Sequence, residues 1–283
     1  MINELFSMSN LSIEDVGFAR IQNDQATISH SDIDLQKLKP RSYQWSTVVQ
    51  HFPYFRFYLM TEGSMRIKLS NSYLTLKKGY MYLLPPLSIK SADPAEFSMH
   101  YFTHFQIHFM PYNILETYHI PNCLPFDEKD LTNNQILLEN FHLHTVESDL
   151  NTHGSFFMLL AKFFRNVSDS SVNAHRFHPV FEYIAQHINE NIQIETLADI
   201  MHVSKIYFTS LFSQTFNISP MKYILEKRIF LAQELLMTSS LSVREIAEKL
   251  GYSNEYYFST SFKRILGISP SKWRNVCDSD NKH

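Results

Sequence analysis

The chain has 283 residues, 44% hydrophobic and 14% aromatic, with six glycines, two cysteines and a formal net charge of −3. That length exceeds the usual single domain and predicts two domains, each with its own core. No apolar run is long enough to cross a bilayer, MINELFSMSN has no secretory-signal pattern, and Cys123 and Cys277 lack the paired spacing of a disulfide framework or thiolate zinc site, so a cytoplasmic protein without a membrane partner is expected.

Up to about residue 110 the pattern is strand-like. MRIKLS at 65–70 alternates apolar and polar residues, Asn71 and Ser72 supply a turn, and YLTL resumes the strand, which predicts a hairpin. YMYLLPP at 80–86 follows Gly79 and stops at Pro85 and Pro86. FSMHYFTHFQIHF at 97–109 puts His100, Phe102, His104, Gln106 and His108 on one face of a strand. Together these segments predict an antiparallel sheet or barrel.

Between 130 and 167 the apolar period becomes helical, predicting helices over 131–145 and 153–167 separated by a break at DLNTHG, with His142 and His144 inside the helical segment. NVSDSSVNAH at 166–175 is polar and aperiodic, and reads as a linker. The predicted division is residues 1–165, a linker at 166–176, and a second domain at 177–283.

The second domain repeats itself. At an offset of fifty, Tyr207/Tyr257, Phe208/Phe258, Phe212/Phe262, Ile218/Ile268, Ser219/Ser269, Pro220/Pro270 and Lys222/Lys272 correspond. Upstream, Leu197/Ile246, Ala198/Ala247, Asp199/Glu248 and Met201/Leu250 correspond at forty-nine. One supersecondary unit used twice explains this.

The unit is a short helix, a tight turn and a longer helix. Ser242 and Glu245 predict a capping box, Gly251 ends the short helix, and Ser253 can cap the longer one. Phe258, Ser261, Phe262 and Ile265, like Phe208, Leu211, Phe212 and Thr215, form stripes that must face a core. Between the copies, Ser219 as N-cap and Pro220 at the first position open a helix to about Met237, roughly 27 Å long. Such a rod could hold two recognition helices in successive major-groove segments about 34 Å apart. Two solvated helices of an interaction module would show the same periodicity. Charge does not decide, because residues 178–276 hold ten Lys or Arg against nine Asp or Glu.

Residues 178–276 resemble the C-terminal domain of the AraC/XylS family of transcription regulators, through LADIMHVSKIYFTSLFSQTFNISPMKYILEKRI in copy one and IAEKLGYSNEYYFSTSFKRILGISPSKWR in copy two. The resemblance implies an α+β protein: an N-terminal antiparallel cupin-like β-barrel with two following helices, then an all-α domain of seven helices holding two helix-turn-helix units and a connecting helix. It implies a cytoplasmic, homodimeric activator, not an enzyme, whose partners are double-stranded promoter DNA, RNA polymerase and a small-molecule effector, with no cofactor. The DNA-binding positions it implies are Lys205, Ile206, Thr209, Ser210 and Ser213 in copy one, and Asn254, Glu255, Tyr256, Ser259, Thr260, Lys263 and Arg264 in copy two. Family members commonly carry Arg at the positions of Ser210 and Thr260, basic pairs at Ser213 and Gln214, and a better cap than Gln193. Copy one is therefore poor in cations, Lys205 being its main one, and copy two is expected to supply more of the affinity.

TLKKGYMYLLPPLSIKS at 75–91 resembles the second motif of cupin barrels, with Lys90 where a metal-binding histidine would stand and Leu87 replacing a glycine. An ammonium is not a metal ligand, and histidines four apart on a strand lie about 13 Å apart, so no metal site is expected. A barrel ligand would meet Tyr43, Trp45, His51, Arg56, Tyr58 and Tyr82, whose polar-tipped rings suit a sugar or similar metabolite. The same rings would equally serve as core filling. The alternative function is a cupin-type metalloenzyme fused to a DNA-binding module.

Overall fold

The computed structural model describes residues 11–22, 25–29, 41–42, 54–69, 72–86, 88–93, 97–107, 115, 119–165 and 176–280. Tyr43, Trp45, His51 and His108 lie outside them, as do residues 166–175 of the linker expected at 166–176. The described residues up to 165 fall in one compact unit and residues 176–280 in another.

The first unit is an antiparallel sheet followed by two helices. Its strands are β1 (Leu11–Gln22), β2 (Gln25–Ser29), β3 (Arg41–Ser42), β4 (Phe55–Leu69), β5 (Tyr73–Lys77), β6 (Tyr80–Leu84), β7 (Ile89–Asp93), β8 (Phe97–Ile107) and β9 (Cys123–Pro125). The main path runs β3-β2-β1-β8-β4-β6-β9, with β5 and β7 both pairing to β4. The expected hairpin is β4–β5, in register from Ser64 opposite Lys77 to Lys68 opposite Tyr73.

Strand β4 serves two parts of the sheet because it is broken in the middle. Its first half pairs with β6 and β8, its second with β5 and β7. Between them the register shifts at Met60/Glu62, and Gly63 adopts φ 65°. A Cβ at Gly63 would come within 2.0 Å of the Phe97 carbonyl oxygen, so only glycine allows β8 to pass this close.

Alternation on β4 and β8 sorts side chains into two buried layers. Tyr58 and Met60 join Met65, Ile67, Leu76, Tyr82, Leu84, Ile89 and Phe102 in one cluster. Phe55 and Phe57, from the opposite face, meet Phe105 and the helices, with ring centroids 5.9 Å apart for Phe57–Phe156 and 4.8 Å for Phe105–Phe156. Burying such rings on both sides is the main apolar stabilisation of this unit.

The helices are α1 (Glu128–Asn140) and α2 (Val146–Phe163). Each opens with a capping box, Asp127 with Asp130 and Thr145 with Ser148. Lys162 near the end of α2 donates to Asp127 and Asp130, tying that end to the start of α1. The expected break at DLNTHG is not there: those residues lie inside α2, and the chain turns instead at 141–145. The Thr145 box fixes the start, and burial of Phe156, Leu159, Leu160 and Phe163 on one face outweighs the cost of about 1 kcal/mol for Gly154 in a helix. His142 and His144 accordingly sit in the turn, not in a helix, with His144 at φ 51°.

The second unit has seven helices among the described residues: α3 (His178–Gln186), α4 (Ile194–Ile200), α5 (Lys205–Phe216), α6 (Pro220–Thr238), α7 (Val243–Lys249), α8 (Glu255–Leu266) and α9 (Pro270–Asp280). Phe177, Phe181, Phe212, Phe216 and Tyr223 pack ring on ring, with centroids 5.1 Å apart for both Phe177–Phe216 and Phe181–Tyr223. Around α8 the counterparts are Tyr252, Phe258, Phe262 and Trp273. Helix α6 begins as the sequence predicts, Pro220 at its first position and the Ser219 side chain accepting from the Lys222 amide.

Candidate nucleic-acid interface

The repeat in sequence is a repeat in exposure. Helices α5 and α8 bury Phe208, Leu211, Phe212 and Phe216 and, fifty residues on, Phe258, Ser261, Phe262 and Leu266. Position by position from 204/254 to 217/267 the two show the same burial, differing only where half-buried Ser213 faces exposed Lys263. Thr215 and Ile265 are half-buried, and the Thr215 hydroxyl donates to the Leu211 carbonyl.

The outward faces carry the expected contact residues. Ile206 is 83% exposed and Tyr256 81%. Ser210, Thr260, Lys205, Glu255 and Arg264 are exposed, while Thr209 and Ser259 are half-buried beside them. Tyr207 and Tyr257, not among the expected contacts, are also more than half exposed. The signal for them was in the repeat, since an aromatic matched in both copies but absent from the core stripe needs a reason outside the core.

Four polar side chains in this unit are already engaged within the protein. Asn254, not Ser253, caps α8, its Oδ1 accepting from the Tyr257 amide at 2.8 Å, as Ser204 caps α5. Lys205 is held by Glu195 at 2.6 Å, and that bond keeps the Glu195 carboxyl below its ordinary range. Arg228 and Arg274 donate to backbone carbonyls: Arg228 to Ile188 and Glu190, Arg274 to Leu236 and Leu241. Lys263 and Arg264 carry no carboxylate partner among the described residues. The Ser242–Glu245 capping box is present at α7, whereas Gln193 gives α4 no side-chain cap.

In the first unit the expected ligand residues Arg56, Tyr58 and Tyr82 are all buried. Tyr58 pairs across the sheet with both Tyr82 and Phe102, and Arg56 with Leu84 and His104. Burial pushes the Arg56 guanidinium down and the Tyr58 phenol up to about 12. The Tyr82 hydroxyl accepts from the Lys77 amide at 2.8 Å, so that ring is held within the sheet. The histidine face of β8 is an inner one: His100 is 3% exposed with its ring 5.7 Å from Tyr58, and His104 lies 3.5 Å from the Asp15 carboxylate. Lys90 is exposed on β7. Among the described residues no three His, Cys, Asp or Glu side chains are grouped as a metal ion would need.

A short helix, a turn and a longer helix with an exposed polar face define a helix-turn-helix protein. A family model described as a helix-turn-helix domain matches residues 197–275. The chain is 33% identical over 92 residues to the MmsAB operon regulatory protein of Pseudomonas aeruginosa, covering 32% of this chain and 30% of that protein. It is 41% identical over 81 residues to the transcriptional regulator AlkR of Acinetobacter baylyi, covering 29% and 26%. The chain thus spans less than a third of the length of these relatives. Over 94% of its length its fold is similar to that of ToxT from Vibrio cholerae, with TM-score 0.53, 12% identity and 98% of that chain covered. ToxT has also been solved with an unsaturated fatty acid bound, at TM-score 0.50, 12% identity, and 94% and 95% coverage. The matched residues lie in the C-terminal unit, and through them the chain is similar to these regulators of transcription.

Proposed function

We propose that the protein is a cytoplasmic, sequence-specific DNA-binding regulator of transcription in which α4–α5 and α7–α8 are two helix-turn-helix readers joined by α6. The observation that carries this reading is the matched exposure of α5 and α8. The same outward positions are exposed in both copies, led by Ile206 and Tyr256, while the same inward positions are buried. With 19 residues, α6 is about 28 Å long, which suits two readers in successive major-groove segments of one duplex. Ile206 and Thr209 suit thymine methyls, Tyr256, Ser259 and Thr260 base edges, and Lys263 and Arg264 phosphates or guanine. The chain would act as an activator that engages RNA polymerase.

The same reading makes residues 1–165 a cupin-like sensor and dimerisation domain, 166–176 a linker and 177–283 the DNA-binding domain. A buried guanidinium at Arg56 beside Tyr58 favours a small effector with a polar or anionic group, a sugar being one class to test and a fatty acid, as in ToxT, another. A ligand that favours one arrangement of the two domains would shift DNA affinity by its differential binding. Helix α2 carries a second apolar stripe, Val146, Leu150 and Met158, all at least half exposed and opposite the buried one, which suits pairing with a second copy.

The test is selection of random duplexes by the purified chain, followed by sequencing. Two short blocks about one helical turn apart are expected. Failure to enrich any sequence at low salt would overturn the reading and favour a helical interaction module. Metal analysis of the same preparation tests the metalloenzyme alternative, and sedimentation of the chain beside Leu150→Glu tests the dimer.

A further inference from the structure

The two readers differ in how their first helices are anchored, and the difference lies in one arginine. Helix α7 opens on its own Ser242–Glu245 capping box, but α4 has no side-chain cap at Gln193. The segment before α4, residues 187–193, is fixed from outside instead. Arg228 on α6 donates its Nε to the Ile188 carbonyl at 2.8 Å and an Nη to the Glu190 carbonyl. The same guanidinium lies 5.8 Å from the centroid of the Tyr252 ring, in the turn of the second reader. One residue earlier, Gly251 at φ 71° approaches the backbone of that 187–193 segment so closely that a Cβ there would meet the Asn189 carbonyl oxygen at 2.2 Å. Tyr252 in turn packs on Phe258 of α8, with centroids 5.1 Å apart.

Arg274 makes a comparable pair of bonds to the Leu236 and Leu241 carbonyls, but these lie at the end of α6 and in the segment before α7, next to the second reader alone. Arg228 is therefore the one of the two that joins both readers.

The geometry points to Arg228 as a positioning residue that sets the spacing between the two recognition helices, with Gly251 as the contact that lets the units touch. The inference rests on the reading of α5 and α8 as DNA readers. A guanidinium suits the task because its planar fork can serve two carbonyls and a ring face together, which an ammonium cannot. Two rigidly held readers bind a two-block site with high effective concentration only when the blocks match their separation, and a shift of one base pair moves a block by about 3.4 Å along the axis and about 35° around it.

The experiment uses the full chain and the duplex blocks found by selection. Affinities are measured for duplexes with native spacing, with spacing changed by one or two base pairs, and with one block scrambled. The wild-type chain is expected to lose about tenfold when spacing changes by one base pair. Arg228→Ala and Gly251→Ala are expected to shrink that penalty to about threefold or less while single-block binding stays within about twofold. Arg274→Ala should keep the full penalty. If Arg228→Ala folds poorly, Arg228→Lys carries the test, because it keeps the charge and loses the fork. A wild-type spacing penalty in the Arg228 and Gly251 variants would overturn the positioning role, as would an equal loss on one-block and two-block duplexes. A wild-type chain that selects no sequence would instead overturn the DNA-reading function itself.

Discussion

Tyr256 and Phe258 stand two residues apart on one helix, one 81% exposed and the other fully buried. Removing them should have opposite consequences. Phe258→Ala leaves a cavity and is expected to cost about 3–5 kcal/mol in chemical denaturation. Tyr256→Ala should change stability by no more than about 0.5 kcal/mol, yet weaken duplex binding severalfold, because a side chain so exposed contributes only when a partner covers it. His100 offers a test in the first unit. It is buried beside Tyr58, its Nδ1 has no hydrogen-bond partner among the described residues, and burial followed by the nearby His104 pushes its pKa down to about 4. An unfolded imidazole titrates near about 6.5, so from there down to about 4 the unfolded chain binds the extra proton. Stability from this group is intact above about pH 6.5 and falls as pH drops towards 4, by about 2–3 kcal/mol at pH 4.5. Denaturant midpoints at pH 7.5 and 4.5 should show a smaller acid loss for His100→Phe than for wild type, and equal losses would remove His100 as the cause.

At the scale of elements, helices with local start and stop signals were legible in the sequence and those decided by packing were not. Ser219–Pro220 marked α6 and the Ser242–Glu245 box marked α7, because caps act through neighbours in the chain. DLNTHG misled because its glycine and polar residues carry turn signals, while the rings that keep α2 intact gain their energy from Phe57 and Phe105, far away in sequence. The inward side of His100 was hidden for the same reason, since alternation tells which residues share a face but not which face is covered. The expected DNA-contact positions emerged on the outward faces because duplication doubled each signal. What duplication could not show was which polar side chains are already engaged. Asn254 is the clearest case, since its Oδ1 caps α8. Asn254→Ala should therefore cost about 1 kcal/mol of stability, and Asn254→Ser almost none. If the serine variant also keeps wild-type duplex affinity, Asn254 acts through the helix start; if it binds weakly while remaining stable, the amide reads the DNA directly.

For the molecule as a whole, a net charge of −3 means that attraction to a polyanion must come from where cations stand and whether they are free. The two copies differ on both counts. Lys263 and Arg264 stand exposed on the last turn of α8, and the matching positions on α5 are Ser213 and Gln214. The main cation of copy one, Lys205, is bonded to Glu195, so a phosphate must compete with a carboxylate already 2.6 Å away. Each phosphate contact contributes about 0.9 to the slope of log affinity against log salt. Lys263→Ala is accordingly expected to reduce that slope by about 0.9, and Lys205→Ala by clearly less. Glu195→Gln should release Lys205, raise affinity at low salt, and make a subsequent Lys205→Ala change as costly as Lys263→Ala. Titrations of one duplex at several salt concentrations decide the matter. Equal slope changes for Lys205→Ala and Lys263→Ala in the parent chain would mean that the Glu195 pair opens freely on binding, and the two readers would then share the electrostatic work.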